Sequence, residues 1–151
     1  MELKVRRIER QADFENGFTR EDFIEFLYTH LGRFGDTRSA IEKAVDYAFS
    51  ETEGKGGFLV TAHLGDDLVG EVVINDTGMA EYVPEHLLVY IAVHGDYRSK
   101  GLGARIMDET FRMCEGNVAL HVEYDNPAKR FYERLGMKSK YAEMRYIKQA
   151  E

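Results

Sequence analysis

Apolar side chains recur along this chain with two periods, about two residues and about 3.6, and the changes between them predict alternating strands and helices. From Glu2 to Ile8, Leu3, Val5 and Ile8 stand among charged neighbours, the pattern of an edge strand. Phe18-Thr19-Arg20-Glu21-Asp22-Phe23 is a helix start. Thr19 can cap it, Asp22 can answer the Thr19 backbone N–H, and Phe18 can staple onto Phe23. The helix predicted from Arg20 keeps Phe23, Leu27, His30 or Leu31, and Phe34 on one stripe until the Gly32 to Gly35 region breaks it. A second helix, with Ile41, Ala44, Val45, Ala48 and Phe49 in phase, follows a Ser39 and Glu42 capping pair and ends before Gly54-Lys55-Gly56-Gly57.

Period two returns in Phe58 to Leu64 and Leu68 to Asn75, which flank Gly65-Asp66-Asp67 as an antiparallel hairpin. After a loop from Gly78 to Glu85, the unbroken apolar run Leu87 to Val93 reads as a central strand buried on both faces. A helix from Gly101 to Glu115 then turns Leu102, Ile106, Met107, Thr110, Phe111 and Cys114 inward and stops at Gly116-Asn117. Val118 to Tyr124 is the next strand. Asn126 caps a helix with Pro127 in its first position, Ala128, Phe131, Tyr132 and Leu135 on one face, and Gly136 at its end. Met137 to Lys148 holds two short strand-like pieces. The layout is α+β, with a mixed, mostly antiparallel sheet, helices on both faces and one parallel crossover.

Length and composition narrow the function. With 151 residues, 44% apolar and 31% charged, the chain fits one globular domain over residues 1–151. The seven-residue apolar run is far short of the roughly 20 residues a membrane-spanning helix needs. Met1-Glu2-Leu3-Lys4 lacks the features of a secretory signal, and the single cysteine excludes an internal disulfide, so a cytoplasmic protein is expected. A net charge of −7 argues against nucleic acid as partner. That charge is uneven: residues 1–94 carry nine basic and eighteen acidic side chains, residues 95–151 eleven and nine. An anionic ligand therefore belongs with the C-terminal third. The five histidines, at positions 30, 63, 86, 94 and 121, show no zinc-ligand spacing, so no metal is expected. Cys114, on the apolar stripe of its helix, reads as core.

The stretch Val93-His94-Gly95-Asp96-Tyr97-Arg98-Ser99-Lys100-Gly101-Leu102-Gly103-Ala104 joins a buried strand to a helix through a basic, glycine-bearing turn. Unpaired N–H groups at a helix N-terminus, with the positive end of its dipole, suit a phosphate. Gly101 and Gly103 remove the Cβ atoms that would hold one away, and Arg98 and Lys100 add charge. The spacing fits neither a Walker loop nor a dinucleotide fingerprint. Arg98-Ser99-Lys100-Gly101-Leu102-Gly103 instead resembles the (Gln/Arg)-x-x-Gly-x-(Gly/Ala) loop of the GNAT superfamily of acetyl-CoA-dependent N-acetyltransferases. Three further segments share the resemblance in order and spacing: Val69-Gly70-Glu71-Val72, Ile91-Ala92-Val93, and Asn126-Pro127-Ala128 with Phe131-Tyr132-Glu133-Arg134-Leu135-Gly136-Met137.

The resemblance implies a GNAT-like fold with a splayed parallel strand pair and acetyl-CoA as cofactor. The backbone of Arg98, Ser99, Lys100, Gly101, Leu102, Gly103 and Ala104 would cradle the diphosphate. Ile91 and Val93 would pair with the pantetheine arm, Asn126 would lie near it, and Lys129 or Arg130 would meet the outer phosphates. Tyr132 would protonate the departing thiolate, while a strand N–H, that of Val93, would stabilise the oxyanion. The acceptor is then a primary amine of a small molecule, peptide or protein, expected to be cationic because the first two-thirds of the chain are acidic, Glu81 and Glu85 included. Several family members carry a base early in the central strand, but the comparable positions here, Leu87 and Val89, are apolar. Glu123, Glu71, His86 and His121 are the substitutes. Glu123 is the chosen candidate because it alternates against Val118, Leu120 and Val122. The missing base also motivates a second reading, a non-catalytic acyl-CoA-binding or sensor module. A third is an interaction protein docking through Phe23, Phe26, Tyr28, Phe34 and Tyr47. A homodimer is a possible assembly.

Overall fold

The computed structural model describes residues 2–150, which fall into two compact units, one ending at Leu120 and the other beginning at His121. The first holds β1 (Leu3–Ile8), α1 (Arg20–His30), α2 (Arg38–Ala48), β2 (Gly57–Leu64), β3 (Asp67–Asp76), β4 (His86–Val93), α3 (Leu102–Met113) and β5 (Val118–Leu120). The strands lie side by side in chain order, β1 to β5. Every pair is antiparallel except the last, where the α3 crossover makes β5 parallel to β4. This is the mixed α+β sheet that the hydrophobic pattern implies.

The start of α1 follows from its sequence. Asp22 donates its N–H to Thr19 Oγ1 at 3.1 Å, and Thr19 returns its own to the Asp22 carboxylate at 3.0 Å. Thr19→Ala should cost about 1 kcal/mol, read as a lower midpoint in thermal unfolding. The staple runs through a third ring, since Phe14 lies 5.4 Å from Phe18 and 6.2 Å from Phe23 between centroids. The cap of α2 is Thr37, not Ser39: Thr37 takes the extended conformation and accepts the Ala40 N–H at 3.1 Å. Two hydroxyls compete in that stretch, and the one with extended backbone wins. Arg20 then clamps the two helices through both oxygens of Asp46, at 2.8 and 3.0 Å.

On one face of the sheet Phe23, Ile24, Leu27, Ile41 and Val45 pack, without exposure, against Ile8, Leu59 and Val73 and beside Tyr90 and Ala92. The other face carries α3. A Cβ on Gly70 would stand 2.5 Å from Ile106 Cδ1, so the glycine is what lets α3 settle this close to β3.

Three expectations are corrected. β4 is interior, but it buries only Leu88, Tyr90 and Ala92, with the alternate residues half-exposed. The reason is that it stands second from the edge, and β5 pairs with it only from His86 to Leu88. β5 itself stops at Leu120 rather than Tyr124. Among the described residues no strand follows it, so the alternation from Met137 to Lys148 is not realised as sheet. Period two yields a strand only where a neighbouring edge supplies hydrogen bonds. The second unit contains α4 (Ala128–Arg134), with Asn126 Oδ1 accepting the Ala128 N–H at 2.9 Å and Pro127 at the cap position, one place earlier than expected. Among the described residues no helix is long and apolar enough to cross a membrane.

Candidate functional site

The site begins with an irregularity in β4. Val73 pairs with Tyr90 and the next residue, Ile74, with Leu88, which leaves Val89 as an extra residue in a β-bulge. Before the bulge, His86 sends its N–H to Asn117 O, toward β5, at 3.0 Å. After it, His94 sends its N–H the other way, to Val69 O of β3, at 2.8 Å. Alternation from His94 therefore turns the main-chain groups of Ile91 and Val93 away from β3, toward the side where β5 has ended. Past Leu88, β4 has no strand partner on its β5 side among the described residues, and the bulge decides which main-chain groups face that side.

At the end of that edge the chain turns into α3. Gly101 is the N-cap, with φ +76, and makes no side-chain cap; no acidic residue occupies the first turn. The N–H groups of Leu102, Gly103 and Ala104 consequently have no acceptor within the helix. Gly101 is needed for its left-handed backbone, whereas a Cβ there would meet open space. Ser99 also adopts a positive φ, +64, so the turn is bent at two places.

The basic side chains of the turn do different things. Arg98 donates through Nε to Val93 O at 3.2 Å and through its terminal nitrogen to His30 O, so its guanidinium braces the turn against β4 and α1. Lys100 is exposed, with its ammonium 5.7 Å from the Tyr97 ring centre. A row of rings secures the same corner: Phe26, His30, His94 and Tyr97 follow one another at 4.6, 4.2 and 5.6 Å. His30 Nδ1 accepts the Gly95 N–H at 3.2 Å, and Tyr97 donates to Asp67 at 2.6 Å. Burial first, then the neighbouring His94, pushes the His30 pKa down, which keeps the ring neutral and able to accept that N–H. His94 is thereby a packing residue of the turn.

A model of the acetyltransferase (GNAT) family matches residues 12–137. The chain belongs to the GNAT acetyltransferase family. A possible acetyltransferase from Clostridium difficile 630 superposes with a TM-score of 0.69 at 17% identity, covering 99% of each chain. An aminoglycoside acetyltransferase from an uncultured soil metagenomic sample, in complex with sisomicin, gives 0.65 at 15% identity over 99% of this chain and 97% of that one. A ribosomal-protein-alanine N-acetyltransferase from Brucella melitensis biovar Abortus 2308 gives 0.62 at 16% over 99% and 100%. At these identities the likeness is one of fold. No curated protein matches the sequence.

As a GNAT domain, the chain presents features that fit a diphosphate-bearing cofactor: an uncapped helix N-terminus, a glycine cap with space around it, and, leading away, a strand edge with no strand partner among the described residues. Leu102 is buried, Ala104 and Gly103 half-buried, and Ser99 to Gly101 exposed. Asn126, Glu123 and Tyr132 belong to the second unit. Asn126 spends its side-chain oxygen on the turn into α4. Tyr132 is half-buried on α4, and burial pushes its phenol up to about 12. Glu123 and His121 are exposed and lie beyond the end of β5, so the strand periodicity used to orient Glu123 does not apply.

The remaining substitutes for a base are accounted for. His86 Nδ1 lies 2.8 Å from Asp76 Oδ1, and Gly116 donates its N–H to His86 Nε2 at 3.2 Å, so both ring nitrogens are engaged at the β4 and β5 junction. Cys114, expected on the inward stripe of α3, is instead its extended C-cap and only half-buried, its thiol pushed up to about 11 mainly by that burial. Glu71 is fully buried on the α1 side of β3, in register between Thr61 and Ala92, with no hydrogen-bond partner for either carboxylate oxygen. Burial, then the charge of Asp22, drives its pKa well upward. Among the described residues no group of His, Cys, Asp and Glu is arranged to hold a metal ion. One pair escaped the sequence reading: Tyr90 of β4 donates its hydroxyl to Asp36 Oδ2 at 2.8 Å. The run Leu87 to Val93 hid Tyr90 as another apolar strand residue, and nothing in the α1–α2 linker singles out Asp36.

Proposed function

We propose that this protein is an N-acetyltransferase that moves an acetyl group from acetyl-CoA to a primary amine in one direct transfer. The observation that carries the reading is the continuity between the uncapped N-terminus of α3 and the open β4 edge from Val89 to Val93. Backbone donors of Leu102, Gly103 and Ala104 hold the diphosphate, with the exposed bend at Ser99, Lys100 and Gly101 around it. Arg98 serves by bracing the bend, and Lys100, exposed over the Tyr97 ring, adds a cation beside it. Ile91 offers its N–H and carbonyl to the acyl-pantetheine arm and Val93 its N–H, the Val93 carbonyl being engaged by Arg98. Ile91 is nearer the bulge and so is the better oxyanion donor, leaving Val93 to the arm. Bound acetyl-CoA supplies the activated acyl group. Tyr132 supplies the thiolate's proton and regains one from the attacking nitrogen as the amide forms; burial keeps the phenol protonated at rest and also makes it a weaker acid. The family match crosses the boundary at Leu120, which supports one acetyltransferase domain.

The test is free-thiol release from acetyl-CoA with a panel of primary amines, together with calorimetric titration of acetyl-CoA. Release that depends on amine is expected. Tyr132→Phe should lower kcat by about 100-fold or more with acetyl-CoA affinity unchanged. Unchanged turnover removes Tyr132 from the reaction. The apolar residues at Leu87 and Val89 favour one second reading, an acyl-CoA-binding module, for which cofactor binds and no amine provokes thiol release.

A further inference from the structure

The direction of the open edge locates the reacting end of the site. The diphosphate donors stand at the C-terminal end of β4, so a cofactor arm laid along the edge runs backward from Val93 toward Val89. Five residues of strand cover roughly 16 Å, comparable to an extended pantetheine arm. Its acyl end then arrives at the bulge, where β5 rejoins the sheet. Val89 and Tyr90 both lean on the core beneath α1 and α2, and the Tyr90 hydroxyl reaches through that face to Asp36.

We infer that Asp36, in the linker between α1 and α2, is the carboxylate that binds the ammonium group of the acceptor amine, with Tyr90 as its positioning residue; this rests on the acetyltransferase reading above. Three observations support it. Asp36 is exposed at the surface, while Tyr90 is 9% exposed, so the carboxylate faces an incoming ligand and its anchor does not. The hydroxyl occupies one side of the carboxylate at 2.8 Å and fixes its orientation. Tyr90 follows directly on the bulge residue Val89, so the side chain that holds Asp36 starts beside the place where the acyl end arrives. Burial, followed by the bond to Asp36, raises the Tyr90 pKa, so the phenol keeps the proton it donates to Asp36. The ligand class is a primary alkylamine, cationic at neutral pH.

The test uses the whole chain saturated with coenzyme A, titrated calorimetrically with 1,4-diaminobutane and, separately, with aniline, which is uncharged at neutral pH. Asp36→Asn should weaken diaminobutane binding about tenfold, leave aniline unchanged, and leave coenzyme A affinity unchanged. Asp36→Glu should recover part of the loss. Tyr90→Phe should weaken diaminobutane a few-fold and leave coenzyme A binding intact. In turnover assays the same variants should raise KM for alkylamines with little change in kcat. Coenzyme A binding without diaminobutane binding, or equal losses for both amines in Asp36→Asn, overturns the assignment of Asp36 alone. Absence of coenzyme A binding by the unaltered protein overturns the acetyltransferase reading and this inference with it.

Discussion

Gly103→Glu is expected to abolish acetyl-CoA binding while leaving the protein as stable as before, or more so. The two effects have opposite signs for one reason. Position 103 lies in the first turn of α3, which has no acidic residue and no side-chain cap. A carboxylate there gains about 0.3–1 kcal/mol from the helix dipole. It also exchanges glycine for a better helix former, worth roughly another half kcal/mol. The same carboxylate stands where the diphosphate is proposed to sit. Two like unit charges 4 Å apart repel by about 4 kcal/mol at a partly exposed site. Even half of that is roughly a thirtyfold loss of affinity. Gly103→Ala separates charge from bulk and should bind acetyl-CoA within a few-fold of the unaltered protein. Calorimetry and thermal unfolding on the three proteins read both effects. Full affinity in Gly103→Glu would mean the diphosphate lies elsewhere.

Glu71→Met is expected to stabilise the protein, and by more as the pH rises. Glu71 is wholly buried beneath α1 with neither oxygen hydrogen-bonded, and its carboxyl is held protonated chiefly by burial. A buried polar group without a partner costs about 1–3 kcal/mol, which an unbranched thioether of similar size does not incur. The pH dependence has a definite sign. The folded-state pKa lies above the ordinary value of 4.5, so folding takes up a proton once the unfolded chain has lost it. The contribution of Glu71 is complete below about pH 4.5 and is lost as pH climbs toward the folded value, by up to about 1.4 kcal/mol per pH unit. Urea denaturation of both proteins at pH 5, 7 and 9 should show the difference widening with pH. A difference that stays flat across that range would show that Glu71 is ionised or paired in the folded protein.

Much of the fold was readable because each helix and the main hairpin announce themselves locally. Thr19 and Asp22 specify the start of α1 within four residues, and Gly65-Asp66 forms the turn between β2 and β3. The turn into α3 was equally legible, since a glycine cap followed by a helix is a local arrangement. The Ser39 cap, the length of β5 and the tail strands misled the reading for a common reason. A hydroxyl can cap only where the backbone is extended, and an alternating segment becomes a strand only where an edge is free to pair. The individual residues contain neither condition.

What the sequence determined alone was therefore the four helices, the strands before Leu120, their order and the anion-suited turn at residues 98–104, all products of short-range hydrogen bonding and periodic burial. The tertiary structure decided the rest. It placed the bulge at Val89, which only the register between β3 and β4 defines, and so turned Ile91 and Val93 toward an open edge. It committed Arg98 to the carbonyls of Val93 and His30 rather than to a ligand. It isolated Glu71 beneath α1 and joined Tyr90 to Asp36 across 54 positions of chain. Those outcomes depend on which surfaces meet, and partners distant along the chain leave no trace in the spacing of either one.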